Sequence, residues 1–253
     1  MCPEDFKTFI ATVPKTIPLS FAGFSEPWLN PATTEMLLYA HSQGYSIRVN
    51  TTLMGVATAD LKAMEKVPFI RFAVHLPDDK GHTKIRVDDA YLAVLEFLLK
   101  SGIQQQFYKY HKIENAALNA DVKKILKKYN RKACVFALNN RAGYAATVNK
   151  YLTPNKTAKL RKCPDFKHNI LLPNGDVVLC HMDWAMKHVL GNLSNSAYAD
   201  IFKSEPFLKV HQALTDPRLE LLCRQCEKDI VYRNAISSLF QAIMSFFKRD
   251  SIY

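Results

Sequence analysis

The sequence predicts an α/β protein: an incomplete (β/α) partial TIM barrel of about five parallel strands, followed by a small cysteine-rich domain with a β-hairpin and helices. Three features lead there. Up to Gly143, short apolar runs alternate with segments of helical spacing, the pattern of parallel strands covered by helices. Beyond Gly143 the alternation stops. Four of the six cysteines then fall between Cys163 and Cys226.

Residues 3–13 place Phe6, Phe9, Ile10 and Val13 at helical spacing, with Pro3 near the start, where a missing N–H costs nothing. The apolar run 17–23 reads as a buried parallel strand and ends in Gly23-Phe24-Ser25-Glu26-Pro27. A helix is expected from Thr33 or Thr34 as N-cap to Gly44. Strand 45–51, helix 58–66, strand 69–76 and a polar loop 77–84 follow. Helix 88–101 carries Tyr91, Leu92, Leu95, Leu98 and Leu99 on its apolar side, and Gly102 closes it. Strand 105–111, helix 119–129 and strand 134–138 complete the series, with Cys134 expected as a small core residue. Because the first recognisable element is a helix, the barrel is expected to lack its first strand in this chain. Such folds place chemistry at the C-terminal ends of their strands. Those ends carry Gly23 to Pro27, Asn50-Thr51, His75 to Asp79, Tyr110-His111 and Asn139-Asn140-Arg141.

Residues 150–162 are polar and basic and suit a linker. Residues 170–180 read as a hairpin around Asn174-Gly175, which brings Cys163 and Cys180 towards one end. Residues 200–214 are expected to be largely helical, and 234–247 an apolar-faced helix that docks on the protein. The expected domains are a barrel over 1–149, a linker over 150–162, a cysteine-rich domain over 163–230 and a C-terminal helix over 231–253.

Several function classes fall away on composition. The net charge of +11 gathers mainly in 123–132 and 150–162, and the first cluster reads as the solvated face and last turn of a helix. Nucleic acid is therefore not an expected partner. No run reaches the roughly 20 apolar residues of a membrane span. The opening Met1-Cys2-Pro3-Glu4-Asp5 has neither a basic n-region nor an apolar h-region, and six cysteines are too sparse for a disulfide scaffold. A cytoplasmic protein is expected. Cys163, Cys180 and the closing pair Cys223-Arg224-Gln225-Cys226 have the layout of a soft-metal site, open to tetrahedral zinc or an iron–sulfur cubane.

Taken together, these motifs resemble those of radical S-adenosylmethionine (SAM) proteins with a C-terminal SPASM or twitch-type auxiliary cluster domain, over nearly the whole chain. Gly23-Phe24-Ser25-Glu26-Pro27 resembles the family's Gly-Gly-Glu-type motif, often G-x-G-E-P, with Ser25 where glycine is usual. Trp28-Leu29-Asn30-Pro31 follows it as in the family, Asn50-Thr51 ends the next strand, and Asn139-Asn140-Arg141-Ala142-Gly143 is similar to an Arg-Ala-Gly segment near the last barrel strand. Cys163, eleven residues, Gly175, four residues and Cys180 resemble the SPASM opening, Leu190-Gly191-Asn192-Leu193 its continuation and Cys223 to Cys226 its close. One departure is large. The C-x-x-x-C-x-x-C that binds the SAM-cleaving cluster in that family does not occur here, and Cys2 alone cannot replace it.

The resemblance implies a SAM site whose methionine amino group meets backbone carbonyls near Gly23, Phe24, Ser25 and Glu26, with Asn50 and Arg141 also facing cofactor. It implies one auxiliary 4Fe–4S cluster on Cys163, Cys180, Cys223 and Cys226, zinc being the competing metal, and His168 and His181 as neighbours of that site. It further implies a peptide or small-molecule substrate and an electron donor such as flavodoxin or ferredoxin. With its cleaving motif missing, the chain is expected to be a truncated form of a longer enzyme, or else a degenerate member, and not catalytic alone. A non-catalytic electron-transfer protein or a zinc-stabilised α/β protein is the alternative.

Overall fold

The computed structural model describes residues 1–111, 117–137, 141–144, 163, 166 and 168–226. The linker 150–162, the C-terminal helix 231–253 and Asn139-Asn140 lie outside the described residues. The chain forms two compact units. The first comprises 1–138 with 172–176 and 192–200; the second comprises the described residues of 139–171, 177–191 and 201–253.

The first unit is built on a five-stranded sheet in sequential order. Its strands are β1 (Leu19–Phe21), β2 (Ile47–Thr51), β3 (Arg71–His75), β4 (Gln106–His111) and β5 (Ala133–Ala137). Every neighbouring pair is parallel, with Phe21 opposite Val49, Thr51 opposite Val74, and His75 opposite Tyr108. Parallel pairing requires a crossover between strands. Helices α2 (Thr33–Ser42), α3 (Thr58–Met64), α4 (Asp89–Lys100) and α5 (Ala120–Lys128) supply it, and α1 (Pro3–Ile10) precedes the sheet. The α/β, partial-barrel-like fold expected from the alternation is the one found.

Local chemistry sets the boundaries. Cys2 caps α1, its sulfur accepting the Asp5 amide at 3.4 Å, and Asp88 caps α4 through the Tyr91 amide at 3.0 Å. Asn119 caps α5 through the Asp121 and Val122 amides. At α2 the expectation fails: Ala32 is the N-cap, and the Thr33 hydroxyl donates to the Pro27 carbonyl at 2.6 Å. Asn30 holds the Ala32 amide at 3.0 Å in its place. The core forms where apolar helix stripes meet the sheet, with Leu37, Val49, Leu61, Met64, Phe72, Leu95 and Leu98 fully buried. Each such side chain contributes about 1.5–3 kcal/mol. Cys134, expected in the core, is instead exposed on the outermost strand of the sheet. The lysines of α5 are exposed as expected, and Lys128 pairs with Glu96 at 2.7 Å.

Strands β6 (Ile170–Leu171), β7 (Asp176–Val178) and β8 (Val189–Asn192) form a second sheet. The predicted hairpin is present, Ile170 pairing antiparallel with Val178. The third strand, over Leu190-Gly191-Asn192, was not expected. Residues 200–214 are largely helical as expected, in two helices, α6 (Tyr198–Ile201) and α7 (Glu205–Thr215). Ser204 breaks the run by capping α7 through the Phe207 amide at 3.2 Å, and Pro206 then occupies its first turn. Among the described residues, no helix is long and apolar enough to cross a membrane.

Candidate functional site

In the first unit, the loops leaving β1 and β2 are tied together by Glu26. One carboxylate oxygen accepts the Thr51 hydroxyl at 2.7 Å and the Trp28 amide at 3.4 Å. The other accepts the Thr52 amide at 2.6 Å and the Thr52 hydroxyl at 2.7 Å. Glu26 is thus spent on positioning the strand ends. Gly23 has φ +134°, a conformation that favours glycine. Behind the loop, the buried Trp28 donates its indole N–H to Thr34 at 3.0 Å, and Thr34 donates to Asp60 at 2.6 Å. Gly55 completes this lock: its φ is +78°, and a Cβ there would stand 2.3 Å from the Trp28 carbonyl oxygen.

Asn50 lies on β2, its side-chain carbonyl accepting from the Arg71 guanidinium. The aspartates at the end of β3, for which a loop role was as expected as a place facing the cavity, serve the loop. Asp78 accepts the amides of Lys80, His82 and Thr83, and Asp79 accepts the Ala117 amide. Burial opposes the Asp78 charge, but the amides of Thr83 and His82 and the Thr83 hydroxyl outweigh it and bring its pKa to about 2. A lowered pKa stabilises the loop above the unfolded value and loses that stabilisation as protons bind. We therefore expect amide-exchange protection at Lys80, His82 and Thr83 to be full above about pH 4 and to fall as pH drops towards 2. An Asp78→Ala chain should lack this protection at neutral pH; retained protection would assign the loop's order to other contacts.

The second unit holds Arg141 and the four clustered cysteines. Arg141 and Ala142 have φ values of +49° and +52°, followed by Gly143 at +93°. Left-handed backbone at consecutive non-glycine residues stores strain. The turn is held because Ala142 is buried, and a Cβ on Gly143 would lie 2.7 Å from Gln225 Oε1, so the segment packs on the Cys223 to Cys226 turn. Arg141 lies over Trp184 with its guanidinium carbon 4.4 Å from the ring centroid.

None of the six cysteines is in a disulfide; Cys180 and Cys226 are buried and Cys163 and Cys223 half-buried. Burial, followed by the charges of Cys180, Cys163 and Cys226, pushes the Cys223 thiol far above its ordinary value. The sulfurs of Cys180, Cys163 and Cys226 therefore lie within electrostatic reach of Cys223. Among the described residues, no three metal-ligating side chains are closed into a coordinating group as they stand. The fit to a metal group is one of donor type and shared neighbourhood: four thiols in a buried setting that disfavours thiolate unless a cation compensates it. His168 is exposed and His181 half-buried.

Two residues beside the cysteines carried no motif. Asp183 is fully buried after Cys180 and accepts the Lys187 and His188 amides at 3.2 and 2.7 Å, with the His188 ring 3.2 Å away. Arg224, between Cys223 and Cys226, is 7% exposed; it donates to the carbonyls of Leu219 at 3.3 Å, Asp216 at 2.7 Å and Ala213. A charged residue between two ligand-type cysteines was the available signal.

The glycine and asparagine of the cysteine-region pattern have a physical reason within the first unit. Gly175 has φ +89°, and a Cβ there would lie 2.7 Å from Asn192 Oδ1 and 2.8 Å from Ser194 Oγ. Asn192 donates to the Asn174 carbonyl at 3.0 Å and Asp176 at 2.8 Å, and accepts the Ser194 amide at 2.7 Å. Gly175→Ala should cost about 2–4 kcal/mol in a denaturant titration, from strained backbone plus displaced partners. A loss under about 1 kcal/mol would mean that the turn relaxes freely.

Comparison with known proteins agrees with this geometry. Residues 163–227 match the SPASM domain, an iron–sulfur cluster-binding domain. The fold is similar to that of BtrN in complex with AdoMet and 2-DOIA, at 16% identity and TM-score 0.51, covering 89% of this chain and 80% of that one. It is also similar to native anSMEcpe with bound AdoMet, at 11% identity and TM-score 0.50, covering 83% of this chain and 73% of that one. No curated protein matches the chain. The SPASM part of the resemblance is borne out by the match over residues 163–227, and the fold expected for the chain is shared with these two AdoMet-bound proteins.

Proposed function

We propose, for a chain with a SPASM domain and a radical SAM-type fold, that the second unit holds one auxiliary 4Fe–4S cluster on Cys163, Cys180, Cys223 and Cys226. The first unit binds SAM at the C-terminal ends of β1 and β2, and the complete system modifies a peptide or small-molecule substrate. One observation carries this reading: the matched iron–sulfur cluster-binding domain spans Cys223 and the three cysteines whose charges act on it, Cys163, Cys180 and Cys226. SAM binding draws support from the loop that Glu26 orders and from AdoMet in both similar structures.

The chain's own residues divide the work. Glu26 holds the strand ends so that the backbone of Gly23 to Ser25 is presented to a ligand, and Asn50 and Arg71 brace the next strands. The four cysteines would ligate the cluster, which supplies one-electron transfer when bound. Arg224 anchors the Cys223 to Cys226 turn. The residues of this chain do not fit the SAM-cleaving cluster: its six cysteines contain no C-x-x-x-C-x-x-C. We therefore assign no SAM cleavage to these residues alone. Electron delivery would come from a flavodoxin- or ferredoxin-type donor.

Anaerobic reconstitution with iron and sulfide tests the reading. About four irons and four sulfides per chain are expected, with calorimetric SAM binding but no 5′-deoxyadenosine under reductant. A colourless chain carrying one tightly held zinc would overturn the cluster, and 5′-deoxyadenosine from this chain would overturn the catalytic assignment.

A further inference from the structure

Tyr91 stands in the first turn of α4, at the end of the loop that leaves the C-terminal end of β3. Helical spacing assigns it to the core, and it is only 6% exposed. Its hydroxyl, however, has no hydrogen-bond partner among the described residues. Buried hydroxyls are normally satisfied, because an unmade bond is costly. Tyr45 shows the ordinary solution: at 2% exposure its hydroxyl lies 2.5 and 2.8 Å from the Ile10 and Val13 carbonyl oxygens.

The surroundings favour a donor that keeps its proton. Burial first, and the Glu26 charge second, push the Tyr91 hydroxyl well above its ordinary pKa. That carboxylate is already taken up by Trp28, Thr51 and Thr52. Tyr91 and Glu26 therefore share the end of the sheet where parallel α/β folds bind ligands.

We propose that the Tyr91 hydroxyl is a ligand-reading group that hydrogen-bonds an acceptor atom of SAM at this end of the sheet. This role rests on the SAM reading above and adds a residue outside every motif. Removing the hydroxyl takes nothing from the unliganded fold and one bond from the complex, a combination that a packing role does not produce.

The test compares the full chain with Tyr91→Phe by calorimetric titration with SAM and with 5′-methylthioadenosine, beside thermal unfolding without ligand. Expected are an equal or higher Tm for the unliganded variant and a roughly threefold to tenfold weaker SAM affinity. Weakening for both ligands assigns the contact to the nucleoside; weakening for SAM alone assigns it to the amino-acid end. Unchanged SAM affinity overturns the role of Tyr91 while SAM binding stands. A lower unliganded Tm reveals a partner within the protein and overturns it as well. If the unmodified chain binds neither ligand, the SAM reading fails and Tyr91's role fails with it.

Discussion

Replacing Cys223 and Cys226 together by serine should abolish the visible absorption of the reconstituted chain and reduce bound iron and sulfide to background. Both residues sit on one short turn, where the Cys226 amide donates to the Cys223 carbonyl at 3.2 Å, so one substitution pair removes half of the ligand set. Ligation of a metal group by deprotonated thiols is coupled to folding and is worth on the order of 10 kcal/mol in small structural sites. The reconstituted protein should therefore lose many degrees of Tm on substitution, read by circular dichroism. The metal-free protein supplies the control. There the double substitution should change stability by only about 1–2 kcal/mol, the cost of altering two packed thiols. An equal loss in both forms would mean that the cysteines act by packing, and retention of iron would remove them as ligands.

Arg224→Met should destabilise the chain by about 3 kcal/mol or more, measured by denaturant titration. A buried cation is tolerable only when its donors are satisfied. Here the guanidinium reaches Leu219, Asp216 and Ala213, the last two at the C-terminal end of α7, where the helix dipole favours positive charge. Methionine fills the volume but leaves buried carbonyls unmade, each costing about 1–3 kcal/mol. Arg224→Lys should recover little, because one ammonium point cannot span acceptors that a planar guanidinium fork reaches. Because Arg224 stands between Cys223 and Cys226, cluster loading should fall with stability. A loss below about 1 kcal/mol would show that water replaces the guanidinium at these carbonyls.

The order of strands and helices was legible because it rests on local periodicity and caps. Apolar runs at β2 and β3, the stripe of α4 and the Asp88 and Asn119 caps are encoded within a few residues of where they act. Failures came where a distant group competes for a local one. Thr33 turned to the Pro27 carbonyl instead of capping α2. The strand over Leu190-Gly191-Asn192 was hidden because two of its four residues are glycine and asparagine, which are poor strand formers.

The candidate site divides the same way. The clustering of Cys163, Cys180, Cys223 and Cys226 and the Asn174-Gly175 turn could be read from the sequence, since thiols and left-handed turns admit few residue types. What each polar side chain does at the strand ends could not. Glu26 is committed to Thr51 and Thr52, Asp78 to its own loop, Arg141 to Trp184 and Arg224 to the end of α7. The partners of Glu26 and Arg141 lie too far away in sequence to leave any pattern. The sequence by itself determined the α/β order and the cysteine set, because periodicity and ligand chemistry are local. Only the tertiary structure decided which charged groups are spent on the fold, and left the buried Tyr91 hydroxyl without a partner among the described residues, because hydrogen-bond satisfaction is settled across the whole packed unit.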